Sequence, residues 1–186
     1  DAKWYTFGEQ FEFYQLLKSL KPDLVHFTMP QQPLLWSGKA VTTVHDMTLI
    51  RFENIDSSDN PFVYKFKKAV FDGLMRVVMH RGSAIITPTN FVREDLGRVY
   101  GDKYLPKIHV TYEAGEIPND SPEPLSEFVG KDYLCTVGNM FHYKNVERVI
   151  LAFEQLVKQY PNLHLLCAGK KDDFAQKLEH IVGERN

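Results

Sequence analysis

Short apolar runs alternate with helical spacing along almost the whole chain. Residues 24–27, 40–44, 84–87, 108–112, 133–137 and 163–168 are brief stretches rich in β-branched and aromatic side chains, the pattern of buried strands. Between them apolar positions recur three and four apart. The clearest set is Val146, Val149, Ile150, Phe153, Leu156, Val157 and Tyr160, one continuous stripe with Asn145 before it as an N-cap and Pro161 after it as a stop. A second helix is predicted from about residue 61 to 80, with Phe62, Phe66, Val70, Leu74 and Val77 or Val78 inward and Gly82 as a left-handed stop. A third starts at Thr89 or Asn90 and turns Val92, Leu96 and Val99 inward, and a fourth covers residues 9–20 ahead of the first strand. Strands alternating with helices imply an α/β fold with mainly parallel sheets.

The alternation is broken at residues 115–130, a stretch rich in Pro, Ser, Glu and Asp with neither period. It reads as a linker between a first domain, 1–114, and the start of a second, 131–186. Residues 53–60 form another polar loop, expected to be mobile. A length of 186 residues suits one domain plus part of another. The chain opens on Asp1 rather than Met and runs straight into an aromatic segment, so it is expected to be an internal piece.

Composition narrows the partners. An apolar share of 44% with 25% charged residues is that of a folded globular chain, and a net charge of −2 without a basic stripe speaks against nucleic acid. Cys135 and Cys167 each sit inside a strand-like run and are expected to be buried, reduced thiols. No apolar stretch approaches the roughly 18–20 residues that span a bilayer, and the amino end lacks a signal-peptide pattern. A cytoplasmic protein is therefore expected. Trp4, Tyr5, Phe7 and Trp36 are either packing residues or a peripheral contact with a membrane surface or lipid-linked acceptor.

In an open parallel sheet, ligands bind beyond the carboxyl ends of the strands, and the residues there are polar in every case. They are His26 and Thr28, His45 and Asp46, Thr87 with Thr89 and Asn90, Glu113 and Gly115, Gly138 and Asn139, and Gly169 with Lys170 and Lys171. His45 can hydrogen-bond a sugar hydroxyl or move a proton near neutral pH; equally, it can be a backbone-bonded histidine, with Asp46 capping the next turn. His26, between Val25 and Phe27, reads as a satisfied core histidine. Thr87-Pro88-Thr89-Asn90 is a strand exit followed by a helix cap.

The second half offers a sharper case. Gly138 lets the backbone approach a ligand, a helix starting near Asn145 aims free N–H groups and a positive dipole end at the same place, and Lys144 adds a full charge. That combination suits a diphosphate. The plainer reading is a turn glycine beside a solvated lysine. Neither a P-loop nor a three-glycine dinucleotide fingerprint occurs.

Taken in order, Asp23-Leu24-Val25-His26, Thr43-Val44-His45-Asp46, the run from Ile85 through Thr87-Pro88-Thr89-Asn90 to Leu96, and Val137-Gly138-Asn139 with Lys144-Asn145 resemble family 4 glycosyltransferases. The resemblance covers nearly the whole chain. It implies the GT-B fold of two Rossmann-like lobes, both incomplete here, with retention at the sugar carbon and no metal or other cofactor. It also implies a nucleotide diphosphate sugar as donor and a glycan or lipid-linked acceptor, in the synthesis of cell-surface polysaccharide. By position it makes Lys144 the cation on the donor diphosphate and His45 a catalytic-cleft residue near the transferred sugar. Gly138, Asn139, Asn145 and Glu113 become donor-side residues, with Glu113 and Gly115 close to the hinge. Asn139 stands where many relatives carry an arginine, and the acidic donor motif of the late carboxyl lobe is absent, so the chain alone is expected to be inactive. Two other readings stay open: a binding or regulatory module of the same fold without chemistry, and a GT-B sugar-nucleotide epimerase in which His45 acts on the sugar itself.

Overall fold

A computed structural model describes residues 7–52, 61–117, 123 and 125–184. They divide into two compact units, one extending to Gly115 and the other beginning at Glu116.

The first unit is built on a four-stranded parallel sheet in the order β1 (Val25–Phe27), β2 (Ala40–Thr43), β3 (Ala84–Thr87), β4 (Ile108–Val110). The register pairs Val25 with Ala40, Val41 with Ala84, and Ile85 with Ile108. Each predicted strand is present, β1 starting one residue later than expected and β2 and β4 ending one and two residues earlier. Ahead of β1 runs α1 (Phe7–Leu20). Between β2 and β3 lie α2 (Thr48–Arg51) and the long α3 (Pro61–Arg81), and between β3 and β4 lies α4 (Asn90–Tyr100).

Parallel neighbours need a crossover, normally a helix, yet β1 and β2 are joined by twelve residues with none. The connection is anchored by side chains instead. Gln10 of α1 accepts from the Leu34 N–H (2.9 Å) and donates to the Gln32 carbonyl (3.2 Å), while the buried Gln32 amide accepts from Thr42 Oγ1 (3.4 Å).

The main core joins Val44, Met47, Phe71, Met75, Val78, Met79, Ile85, Val92, Leu96 and Ile108. A smaller cluster of Leu17, Phe27 and Ala40 gathers Phe13, Val25 and Trp36 against it. Trp36 is thus a packing residue; Trp4 and Tyr5 lie outside the described residues, as do residues 53–60 and the linker positions 118–122 and 124.

Two expectations about helix faces hold only in part, Leu74 and Val78 of α3 being buried as expected. In α3 the inward side carries Tyr64, Phe71, Leu74, Met75, Val78 and Met79, whereas Phe62, Phe66 and Val70 point outward at 82%, 71% and 43% exposure. The helix has apolar stripes on both sides. Tyr64 decides between them: its hydroxyl donates to the Leu49 carbonyl (3.3 Å) and to that of Phe52, tying this side of α3 to α2. In α4, Val92 and Leu96 are buried as expected, but Val99 is not, and the charged Asp95 is. Gly82 is not left-handed; it closes α3 with an N–H bond to the Val78 carbonyl (2.9 Å), and a Cβ there would meet that oxygen at 2.7 Å.

The second unit contains β5 (Tyr133–Val137) and β6 (His164–Ala168), paired in parallel from Tyr133 with His164 to Val137 with Ala168. Between them runs α5 (Val146–Leu156), and α6 (Asp173–Gly183) follows. The boundaries of both strands match expectation to within a residue. Burial does not. Among the described residues the faces of this two-stranded sheet are only partly covered, so Cys135 and Cys167 are exposed free thiols rather than core residues. Among the described residues of this unit only Met140 and Val146 are buried apolar side chains.

Candidate functional site

The polar strand ends form one constellation in each unit. In the first, Val44 is fully buried and donates its N–H to the Ile86 carbonyl (2.8 Å), which fixes the backbone just before His45 at the carboxyl edge of the sheet. His45 Nε2 lies 3.1 Å from the Thr28 carbonyl, beyond β1, and Nδ1 lies 2.9 Å from Glu113 Oε1, beyond β4. The imidazole therefore spans from the tip of β1 to that of β4, past the end of β3. Both neighbours are acceptors, so only the doubly protonated ring donates to both at once. With both nitrogens engaged, His45 reaches a substrate only by giving up one contact. The pair is half-exposed, at 51% and 65% of the side chains, and its Coulomb energy is correspondingly screened.

The residues around His45 are firmly held. Asp46 Oδ1 accepts from the Thr48 N–H (2.8 Å) and opens α2. At the other end of α2, Arg51 forms a bidentate ion pair with the buried Asp95 of α4 and lies over the Phe91 ring, 5.6 Å from its centroid. Burial of a carboxylate is tolerated because the guanidinium fork meets both oxygens. Arg51 was not among the residues the sequence singled out, and no local pattern signals a partner 44 positions away. Thr87, fully buried, donates to the Thr89 carbonyl (3.3 Å), and Thr89 Oγ1 accepts from the Val92 N–H (3.2 Å) as the N-cap of α4. His26 is satisfied by Thr43 Oγ1 at 2.9 Å but is exposed, not a core residue.

In the second unit the chain leaves β5 at Gly138, whose φ of 134° belongs to the region glycine favours. Its N–H donates to the Ala168 carbonyl (2.8 Å), and space for a Cβ is open. Asn139 is exposed, Met140 turns inward, and a short 3-10 turn, His142–Lys144, follows. Asn145 then adopts a left-handed conformation (φ 58°, ψ 34°) and delivers the chain into α5. It stands at the N-cap position without a side-chain cap bond, a correction to its expected role. The first N–H groups of a helix lack intrahelical acceptors, so this uncapped end with exposed Lys144 beside it favours an anion. Glu147 in the first turn opposes that charge. Lys144 Nζ lies 5.2 Å from the Tyr143 ring centroid, and Phe141 holds the turn by packing on Tyr143 and, edge-on, on Phe174 of α6.

A cleft of about 580 Å³ in this unit is lined by Ile150, Phe153, Leu165, Cys167, Leu178 and Val182, among others. It lies between α5, β6 and α6, and Gly138, Asn139, Lys144 and Asn145 do not line it, so it is an interlayer gap rather than the anion-favouring loop. Although Cys167 is exposed overall, partial desolvation of its thiol at the cleft wall, and secondarily Cys135, push its pKa up. Lys171, one of the strand-tip lysines, is ion-paired with Glu179 at 3.0 Å.

The structure thus brings His45 and Glu113 into contact in one unit and gathers Gly138, Asn139, Lys144 and Asn145 on one loop of the other. Comparison with known proteins supplies the frame for both. The family model described as Glycosyltransferase Family 4 matches residues 2–114, and that described as Glycosyl transferases group 1 matches residues 119–185. No curated protein sequence matches the chain. Among solved structures, the S. aureus MnaA–UDP co-structure is similar with a TM-score of 0.51 at 16% identity, over 96% of this chain and 48% of that one. The chain spans about half the length of that structure, and at this identity the likeness bears on the fold alone. With the first family model covering most of its length and two parallel α/β units of the GT-B type, the chain belongs to glycosyltransferase family 4.

Proposed function

We propose that this chain is part of a retaining glycosyltransferase that moves a hexose from a nucleotide diphosphate sugar to a glycan or lipid-linked acceptor. In this reading residues 1–114 serve the acceptor side and residues 131–186 the donor side, with 115–130 as linker. The enzyme works in the cytoplasm, at the inner face of the membrane, in cell-surface polysaccharide synthesis.

The observation that carries the reading is the loop from Gly138 to Asn145: an open glycine, an uncapped helix start and an exposed lysine, in a chain of this family. Lys144 and the α5 terminus stabilise the departing diphosphate as negative charge develops, without calling on a metal ion. UDP in the co-structure of a protein with the same fold supports a nucleoside diphosphate as the bound group. His45, oriented by Glu113 and the Thr28 carbonyl, faces the transferred sugar and exchanges the Thr28 contact for a sugar hydroxyl. Glu113 acts on the donor side by setting the ring.

Lys144→Ala in the full-length protein should lower kcat/KM for the donor by about a hundredfold, the scale of losing one charge-stabilising donor. Unchanged kinetics would remove the assignment. One residue favours a second reading, a nucleotide-binding module without chemistry: Asn139, an uncharged side chain where the family resemblance implies a second phosphate-binding cation. Nucleotide titration alongside a donor-hydrolysis assay on the full-length protein separates the two, because the module binds without turning over.

A further inference from the structure

Arg51 and Asp95 sit on elements that both start from the carboxyl edge of the first sheet. Asp95 belongs to α4, which follows β3, and its side chain is 2% exposed. Arg51 closes α2, which follows β2, and stands six residues after His45. Two contacts fix its guanidinium. The fork meets both carboxylate oxygens of Asp95, which sets its place in the plane, and the Phe91 ring, centred 5.6 Å from Cζ, sets its tilt. Stability alone does not call for this arrangement, because desolvating a buried ion pair offsets much of its attraction and apolar side chains of similar volume often serve as well. What the fork adds is one fixed geometry.

That geometry reaches His45 through a short, hydrogen-bonded segment. Asp46 accepts from the Thr48 N–H, the Met47 carbonyl accepts from the Ile50 and Arg51 N–H groups (both 3.0 Å), and the Met47 side chain is buried in the core. On the other side of His45, Val44 is held by Ile86. The helix α2 itself has four residues, none of them fully buried, so polar ties carry much of its placement. Tyr64 ties it to α3, and Arg51 ties it to α4. We propose that Arg51 is a positioning residue: by clamping α2 to Asp95 it keeps the His45 imidazole where Thr28 and Glu113 meet it. A misplacement of about 1 Å can cost a hundredfold in rate, so loosening the clamp should be felt at the chemistry. The consequence for turnover rests on the transferase reading above; the clamp does not.

The test follows the His45 imidazole by proton–nitrogen NMR of this chain, its signals assigned by their loss in His45→Gln. Arg51→Lys keeps the charge and loses the fork, whereas Arg51→Met/Asp95→Leu removes the pair without leaving a buried charge behind. Arg98→Gln is the control, because it breaks the exposed Glu94–Arg98 pair (3.1 Å) on the same helix. The double variant should melt with the parent. Its His45 signals, and those of Arg51→Lys, should move or broaden, and Arg98→Gln should leave them in place. In the full-length protein both Arg51 variants should lower kcat by about tenfold or more while the donor KM stays within about twofold, and lysine should not rescue. His45 signals unmoved in both Arg51 variants, or kcat restored by Arg51→Lys, would overturn the proposal. A full-length parent without turnover would instead remove the transferase reading, and the spectra would still decide the clamp.

Discussion

Gly138 and Gly169 stand side by side at the ends of β5 and β6, and each is glycine for a different physical reason. Gly138 holds a backbone angle that side chains rarely adopt (φ 134°), yet a Cβ there would meet nothing within 4 Å. Gly169 has no such angle, but a Cβ would sit 2.0 Å from the Gly138 carbonyl oxygen, a backbone atom that cannot swing aside. Gly138→Ala therefore costs strain alone, about 1–2 kcal/mol. Gly169→Ala must separate the two strand ends and should cost more, disturbing the loop that leads to Lys144 as well. Thermal melts of the two variants beside UDP titrations check this; a Gly169→Ala protein as stable as the parent would mean that the strand ends part easily. Sequence shows two glycines after two apolar runs and cannot rank them, because the contact joins residues from different strands.

At the scale of the element, the same limit separates what was legible from what was not. The six strands follow from their own residues, since a β-branched run between turn formers specifies a strand locally, and each is found within two residues of its expected bounds. The start of α4 was legible too, because Thr89 stands directly before it as the N-cap, its hydroxyl accepting from the Val92 N–H three residues on. The face of α3 was not. Phe62, Phe66, Val70 and Leu74 recur every four residues as a core stripe does, and Tyr64, Phe71, Met75 and Val78 make an equally good one. The tie is broken by distant groups, the carbonyls of α2 for Tyr64 and the sheet residues around Met75. The His45–Glu113 contact, 68 residues apart, is likewise invisible to spacing, although both residues stood out as strand-tip polar groups. The face assignment yields a direct check. Met75→Ala, at a fully buried position, should destabilise the protein by about 2–5 kcal/mol, whereas Phe66→Ala should stay within about 0.5 kcal/mol of the parent. Denaturant melts reporting the reverse order would put the other stripe in the core.

For the molecule as a whole, the two units differ in how well each is closed. The first encloses a contiguous core in which Val44, Met75, Val78, Met79, Ile85 and Leu96 are wholly buried, beneath four paired strands. The second pairs two strands, buries Met140 and Val146 among its described apolar side chains, and leaves a cleft of about 580 Å³ between α5, β6 and α6. Local opening costs least where few apolar contacts are lost and hydrogen bonds already face water. Amides of β5 and β6 should therefore exchange with deuterium faster than those of β2 and β3, and bound UDP should slow the former selectively if the Gly138–Asn145 loop holds it. Slow, ligand-independent exchange in β5 and β6 would argue that the second unit is already closed by contacts of its own, and would move the donor-induced ordering away from this loop.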